Sequence, residues 1–157
     1  VFISFPERPR TASKGYFVIT LCHLVADLAA GKGLAEYAPT VDRVPEQTFL
    51  VLAFDAEDNT DIREQALDGH LHFIEQNLER YLAAGPLREP GGESLIGSFF
   101  LVTAEDEADA MRLLDGDPYM HRELYGEIRV LSATPAAGRW MGGVIWNSAD
   151  ELRGKAS

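Results

Sequence analysis

From Thr48 onward the hydrophobic and polar positions of the chain fall into runs with distinct periods. Thr48-Phe49-Leu50-Val51-Leu52-Ala53-Phe54 is a continuous β-prone apolar run closed by the polar cluster Asp55 to Asp61, which predicts a buried central strand. Ile62 to Ala84 then spaces Leu67, Leu71, Ile74, Leu78, Tyr81 and Leu82 mostly three and four apart. That period predicts an amphipathic helix with this stripe turned to the core, stopped by Gly85-Pro86. Glu89-Pro90-Gly91-Gly92 has the chemistry of a turn between two short strands, of which Ser98 to Thr103 is the clearer. Glu105 to Leu114 carries acids in its first turn, as a helix dipole prefers, and predicts a second helix with Ala108, Met111 and Leu114, or Ala110 and Leu113, facing inward. Glu127 to Ser132 alternates polar and apolar residues and predicts a fourth strand.

The order β, α, β, β, α, β is the split βαβ arrangement of a ferredoxin-like α+β fold. Two helices cover one face of such a sheet. The other face must also be covered, and a second copy's sheet is the economical cover, so a homodimer is expected. This places a domain at residues 48–133 between an extension at 1–47 and another at 134–157. In the first extension, Phe17, Leu21, Leu24, Val25 and Leu28 predict a helix within Tyr16 to Ala30. That piece either packs on the domain or a partner, or lies upstream of the true start of the protein. In the second extension, the apolar Trp140 to Trp146 is expected to cover the sheet edge or cross to the partner.

Composition narrows the partners. Twenty-five acidic against 14 basic side chains give a formal charge of -11, and no basic stripe interleaves with aromatics, which argues against nucleic acid. The lone cysteine, Cys22, excludes an intrachain disulfide and a cysteine-rich metal site and fits a reducing cytoplasm. The apolar stretch Tyr16 to Ala26 is too short to span a bilayer and, ending at Asp27, imitates a secretory signal only weakly. Neither Gly91-Gly92 nor Gly142-Gly143 has the strand and helix context of a phosphate loop, so no nucleotide cofactor is expected. Cys22 and His23 lack an acid at a motif spacing, and Glu105 to Asp109 lacks calcium-loop spacing.

One pair has a stronger claim to chemistry. At about 100° per residue, His70 projects about 70° from the middle of the predicted stripe, at the boundary between core and solvent, whereas His72 falls on the solvent side and cannot share a metal with it. Asp117, 47 residues after His70, stands in Asp115-Gly116-Asp117-Pro118-Tyr119. Asp before Pro is an expected helix N-cap, yet one carboxylate oxygen can cap while the other accepts from an imidazole. A neutral imidazole oriented by a carboxylate can take a proton at physiological pH. Tyr119 and Tyr125 could line the same cavity, but aromatic residues near a strand start are more often core, so neither is counted as catalytic.

The stretch from about Phe49 to Ser132 resembles the YCII-related domain, a family of dimeric α+β barrels made of two ferredoxin-like units. The resemblance rests on His70-Leu71, Gly85-Pro86-Leu87, Gly97-Ser98, Ala110 and Asp117-Pro118-Tyr119, in that order. It implies that His70 and Asp117 are the active-site pair. Members often carry an arginine one turn before the histidine, where this chain has Leu67, and a glycine where it has Glu123; Arg63, two turns before His70, is a candidate substitute for the missing charge. Kinship with isomerases, dehydrohalogenases and monooxygenases makes a cofactor-independent enzyme of proton transfer, isomerase or lyase, the first expectation. A non-catalytic dimeric module binding a metabolite or partner protein is the alternative.

Overall fold

The computed structural model describes residues 38–57 and 60–154. The helix expected within Tyr16 to Ala30, with Cys22 and His23, lies outside the described residues. The elements are β1 (Thr48–Asp55), α1 (Thr60–Gln76), a 3-10 turn (Leu78–Arg80), β2 (Tyr81–Arg88), β3 (Leu95–Thr103), α2 (Glu107–Asp115), α3 (Pro118–His121) and β4 (Tyr125–Ala133). Short strands β5 (Ala137–Gly138) and β6 (Gly143–Val144) and a last helix α4 (Ala149–Gly154) follow.

Strands β1 to β4 form one sheet in the order β2-β3-β1-β4, with every neighbouring pair antiparallel. This is the α+β sheet order of a ferredoxin-like unit, with the apolar run of β1 in the interior of the sheet. The period of two selects the core. Phe49, Val51 and Ala53 of β1 and Phe100 and Val102 of β3 are buried with Ala110, Leu113 and Leu114 of α2. Each large side chain among them contributes about 1.5–3 kcal/mol by leaving water. On the opposite sheet face Leu50, Leu52, Phe99 and Leu101 are half-buried and Leu131 is exposed. Gly97 lets β3 approach β1 closely, because a Cβ there would overlap the Ala53 carbonyl oxygen.

Two expectations about α1 are corrected. The helix ends at Gln76 rather than Ala84, and Gly85-Pro86 lies inside strand β2 instead of capping a helix. Antiparallel pairing with β3 overrides the continuing apolar period, and proline, which has no N–H to give a ladder, is tolerated because β2 is an edge strand. The buried face of α1 is also rotated from the leucine stripe. Arg63 and Ala66 are buried and His70, Phe73 and Ile74 half-buried, whereas Leu67, Leu71 and Leu78 are exposed. His70 therefore sits within the packed face instead of at its boundary.

The C-terminal extension forms the β5–β6 hairpin, and Thr40 bridges Val144. Leu82, Leu101 and Met141 line one cavity between it and the sheet, while Trp140 is exposed. Among the described residues no helix is long and apolar enough to cross a membrane.

Candidate active site between helix and sheet

The site begins with the cap of a four-residue helix. Asp117 has the extended backbone of an N-cap (φ -75°, ψ 131°), its side chain accepts from the Tyr119 N–H at 2.9 Å, and Pro118 takes the first helical position. Capping fixes the carboxylate in the interior, where Asp117 is only 1% exposed. Helix α3 packs on α1, with Gly69 leaving room for the Pro118 ring. That contact brings the carboxylate to His70, whose Nδ1 lies 2.7 Å from Oδ2 and 2.9 Å from Oδ1. A carboxylate only accepts, so Nδ1 carries the hydrogen, and in the neutral ring Nε2 is then the nitrogen with the lone pair.

The Tyr119 ring stacks on the imidazole, centroids 4.0 Å apart and planes 15° from parallel. Tyr119 is itself buried, and its hydroxyl donates to the Arg63 carbonyl oxygen at 3.2 Å. The His70 ring is thus held by a hydrogen bond in its plane and a stack on its face.

The Arg63 guanidinium lies 5.1 Å from the centroid of the same tyrosine ring. Its Nε and Nη2 donate to the two Asp55 oxygens at 2.9 and 2.5 Å, and its Nη1 donates to Ser98 Oγ at 3.3 Å. Burial opposes the Arg63 charge most strongly, yet the hydrogen bond and charge of Asp55 outweigh it and hold the Arg63 pKa above its ordinary value. Tyr125 donates its hydroxyl to the same Ser98 Oγ at 3.1 Å. Burial, with the nearby Asp117 charge, pushes the Tyr125 phenol well above the usual range despite the opposing Ser98 bond, so it remains a donor at any physiological pH.

His70, Arg63 and Ser98 share one cavity of about 520 Å³ between α1 and the β2–β3 half of the sheet. Its other walls are largely apolar, among them Leu67, Ile74 and Phe100. The volume and the few convergent polar groups suit a small organic molecule. Among the described residues no group of three or more His, Cys, Asp or Glu could hold a metal ion.

Residues 48–134, more than half of the chain, match the profile of the YCII-related domain. The chain belongs to the YCII-related domain family. A solved structure similar to this YCII-related chain is 5-chloro-2-hydroxyhydroquinone dehydrochlorinase from Burkholderia phenoliruptrix AC1100 in complex with 2,5-dihydroxybenzoquinone. The likeness has a TM-score of 0.52 at 21% identity and covers 59% of this chain and 96% of the dehydrochlorinase chain, which is a likeness of fold. No curated protein matches the chain.

Both residues singled out from the sequence of this YCII-related protein, His70 and Asp117, are in contact. Arg63 reaches the same cavity from α1. Ser98, which the sequence marks only as the start of a strand, and Tyr119 also line this cavity, and Tyr125 joins it through the Ser98 hydroxyl. Ser98 carried a signal, since a serine at the inward register of an otherwise apolar strand needs a polar partner there. Tyr119 is buried as expected, but its neighbour across the stack could be found only from the fold. Glu123 adopts a left-handed φ of 56° just after α3, a conformation that glycine takes at no steric cost.

Proposed function

We propose that this protein is a cofactor-independent enzyme that moves a proton on a small organic molecule, with His70 as the general acid/base and Asp117 as its orienter. The observation that carries the reading is the buried carboxylate 2.7 Å from Nδ1 of a histidine that lines an apolar cavity. Nε2 would take a proton from carbon next to a carbonyl and return it elsewhere, or leave a departing group to complete an elimination. Asp117 would fix the tautomer and stabilise the imidazolium, a contribution of about 10² to 10⁴ in rate for such general acid/base catalysis. The similar fold of a dehydrochlorinase solved with a hydroxylated quinone supports this substrate size and chemistry.

The test is to incubate the protein in D2O with a panel of cyclic enolisable ketones and hydroxylated quinones and follow C–H signals and products by NMR. Exchange or turnover that disappears in His70→Gln with the fold intact is expected. Full activity in that variant would sink the assignment. A panel member that binds and is recovered unchanged, with binding indifferent to His70→Gln and Asp117→Asn, would favour the binding-module reading.

Residues 48–133 would form the functional unit, working as a homodimer packed through the free sheet face. Support comes from the incompletely covered Leu50, Leu52 and Leu131 on that face. Light scattering on Leu131→Glu should then report monomer where the parent reports dimer.

A further inference from the structure

We propose that Ser98 and Arg63 form a second pole of the same cavity, an oxyanion-binding donor pair, so that the substrate is an enolisable carbonyl compound or phenol whose oxygen is seated there. The proposal rests on the proton-transfer reading of His70 and adds to it where the developing charge goes.

Hydrogen-bond accounting at Ser98 carries the argument. A hydroxyl has one hydrogen to give and two lone pairs to receive with. Both lone pairs of Ser98 Oγ are engaged, by Arg63 Nη1 at 3.3 Å and by Tyr125 Oη at 3.1 Å. Among the described residues the Ser98 hydrogen has no acceptor, and Ser98 lines the cavity. The serine is 3% exposed and the arginine 8% exposed, so a donor here acts away from bulk water, where it stabilises charge most strongly.

Asp55 occupies the Nε and Nη2 edge of Arg63, which fixes the guanidinium and leaves Nη1 to Ser98, while Arg63 itself lines the cavity. The Asp55 carboxylate offsets part of the arginine charge, so the Ser98 and Arg63 donors favour an oxygen the more negative it becomes. Arg63 and His70 lie seven residues apart on α1, about 10 Å along its axis, and their side chains line one cavity. The Tyr119 ring contacts both side chains, so a small ring bearing a carbonyl would reach them from the open side of the cavity.

In the step, Nε2 of His70 accepts the proton of a C–H next to the carbonyl. The C–H electron pair becomes the C–C π bond, and the carbonyl π pair moves onto oxygen, which accepts hydrogen bonds from Ser98 and Arg63. Where a C=C is conjugated with the enolate, reprotonation at its far carbon returns the oxygen to a carbonyl; where the β-carbon bears a leaving group, its loss with the bonding pair does the same.

The experiment uses para-nitrophenol as probe, because its phenolate is coloured and its phenol is not. Binding of each form is measured by absorbance titration on either side of the phenol pKa, for the parent, Ser98→Ala, Arg63→Lys and His70→Gln. Thermal unfolding confirms that each variant is folded. The parent should hold phenolate at least tenfold more tightly than phenol, Ser98→Ala should lose most of that preference, and His70→Gln should keep it. Arg63→Lys should lose it in part, giving a second reading independent of the serine. Equal binding of the two forms, no binding of either, or a preference unchanged in folded Ser98→Ala would overturn the proposal. Loss of the preference in His70→Gln would also overturn it, by assigning the anion to the imidazolium. If the phenolate preference follows Ser98 while no panel compound exchanges its protons, the catalytic reading falls and the anion pole stands.

Discussion

The imidazole of His70 lies nearly parallel to the ring of Tyr119 at a centroid distance of 4.0 Å, and the same tyrosine donates its hydroxyl to the main chain of the helix that carries the histidine. Tyr119 therefore positions His70 through two contacts that can be separated. Tyr119→Phe keeps the stack and should cost about 1 kcal/mol for the lost hydrogen bond, with turnover little changed. Tyr119→Ala removes the ring from a fully buried site and should cost about 3–5 kcal/mol. Urea unfolding of both variants checks the difference.

Asp117 both caps α3 and meets His70, and the two roles respond to different substitutions. In Asp117→Asn an amide oxygen can still accept from the Tyr119 N–H, but the charge that favours imidazolium is gone. Turnover should fall by about 10² to 10⁴ with a modest change in stability. Asp117→Ala should lose the cap as well, about 1 kcal/mol more. Comparing rate and unfolding midpoint for the pair separates orientation from structure; equal rates in parent and Asn variant would reject the orienting role.

Tyr81 is buried against Phe100, and its hydroxyl has no hydrogen-bond partner among the described residues. Burial, helped by the charge of Asp117, raises the Tyr81 pKa well above the usual phenol range. Removing a buried donor that bonds to nothing relieves its desolvation cost. Tyr81→Phe should therefore raise stability by about 1 kcal/mol, read as a later urea midpoint at unchanged slope.

Asp109 accepts from the Glu105 N–H and pairs with Arg80 at 2.7 Å and Arg112 at 3.3 Å. The backbone bond, followed by the arginine charges, lowers its pKa below the ordinary carboxylate value. A folded-state pKa below the unfolded one adds stability above the unfolded value and loses it as pH falls through the folded one. Asp109→Asn should accordingly be less stable than the parent at pH 7, with the gap closing at a pH below the ordinary carboxylate value of about 3.9 as the parent's carboxylate protonates. Unfolding midpoints at the two pH values check the sign.

Much of the fold was legible along the chain because its signals are local. The apolar run of β1, the alternation of β4, the turn at Glu89 to Gly92 and the N-cap at Asp117 each depend on residues within a few positions. The end of α1 was not legible. Leu78, Tyr81 and Leu82 continue a helical period, and only pairing with β3 makes a strand of Tyr81 to Arg88. The candidate pair His70 and Asp117 was legible by residue type and by resemblance, while its surroundings were not.

The sequence by itself determined the order of elements, the inward face of the central strand and the carboxylate that begins α3, since backbone geometry and side-chain period act over one or two turns. The tertiary structure alone decided which face of α1 is buried, where that helix stops, and that Arg63, Ser98, Tyr119 and Tyr125 gather beside His70. Those outcomes depend on contacts between residues far apart in the chain, 56 positions in the case of Tyr119 and Arg63. Burial satisfies such polar groups only once the sheet and helices have closed around them.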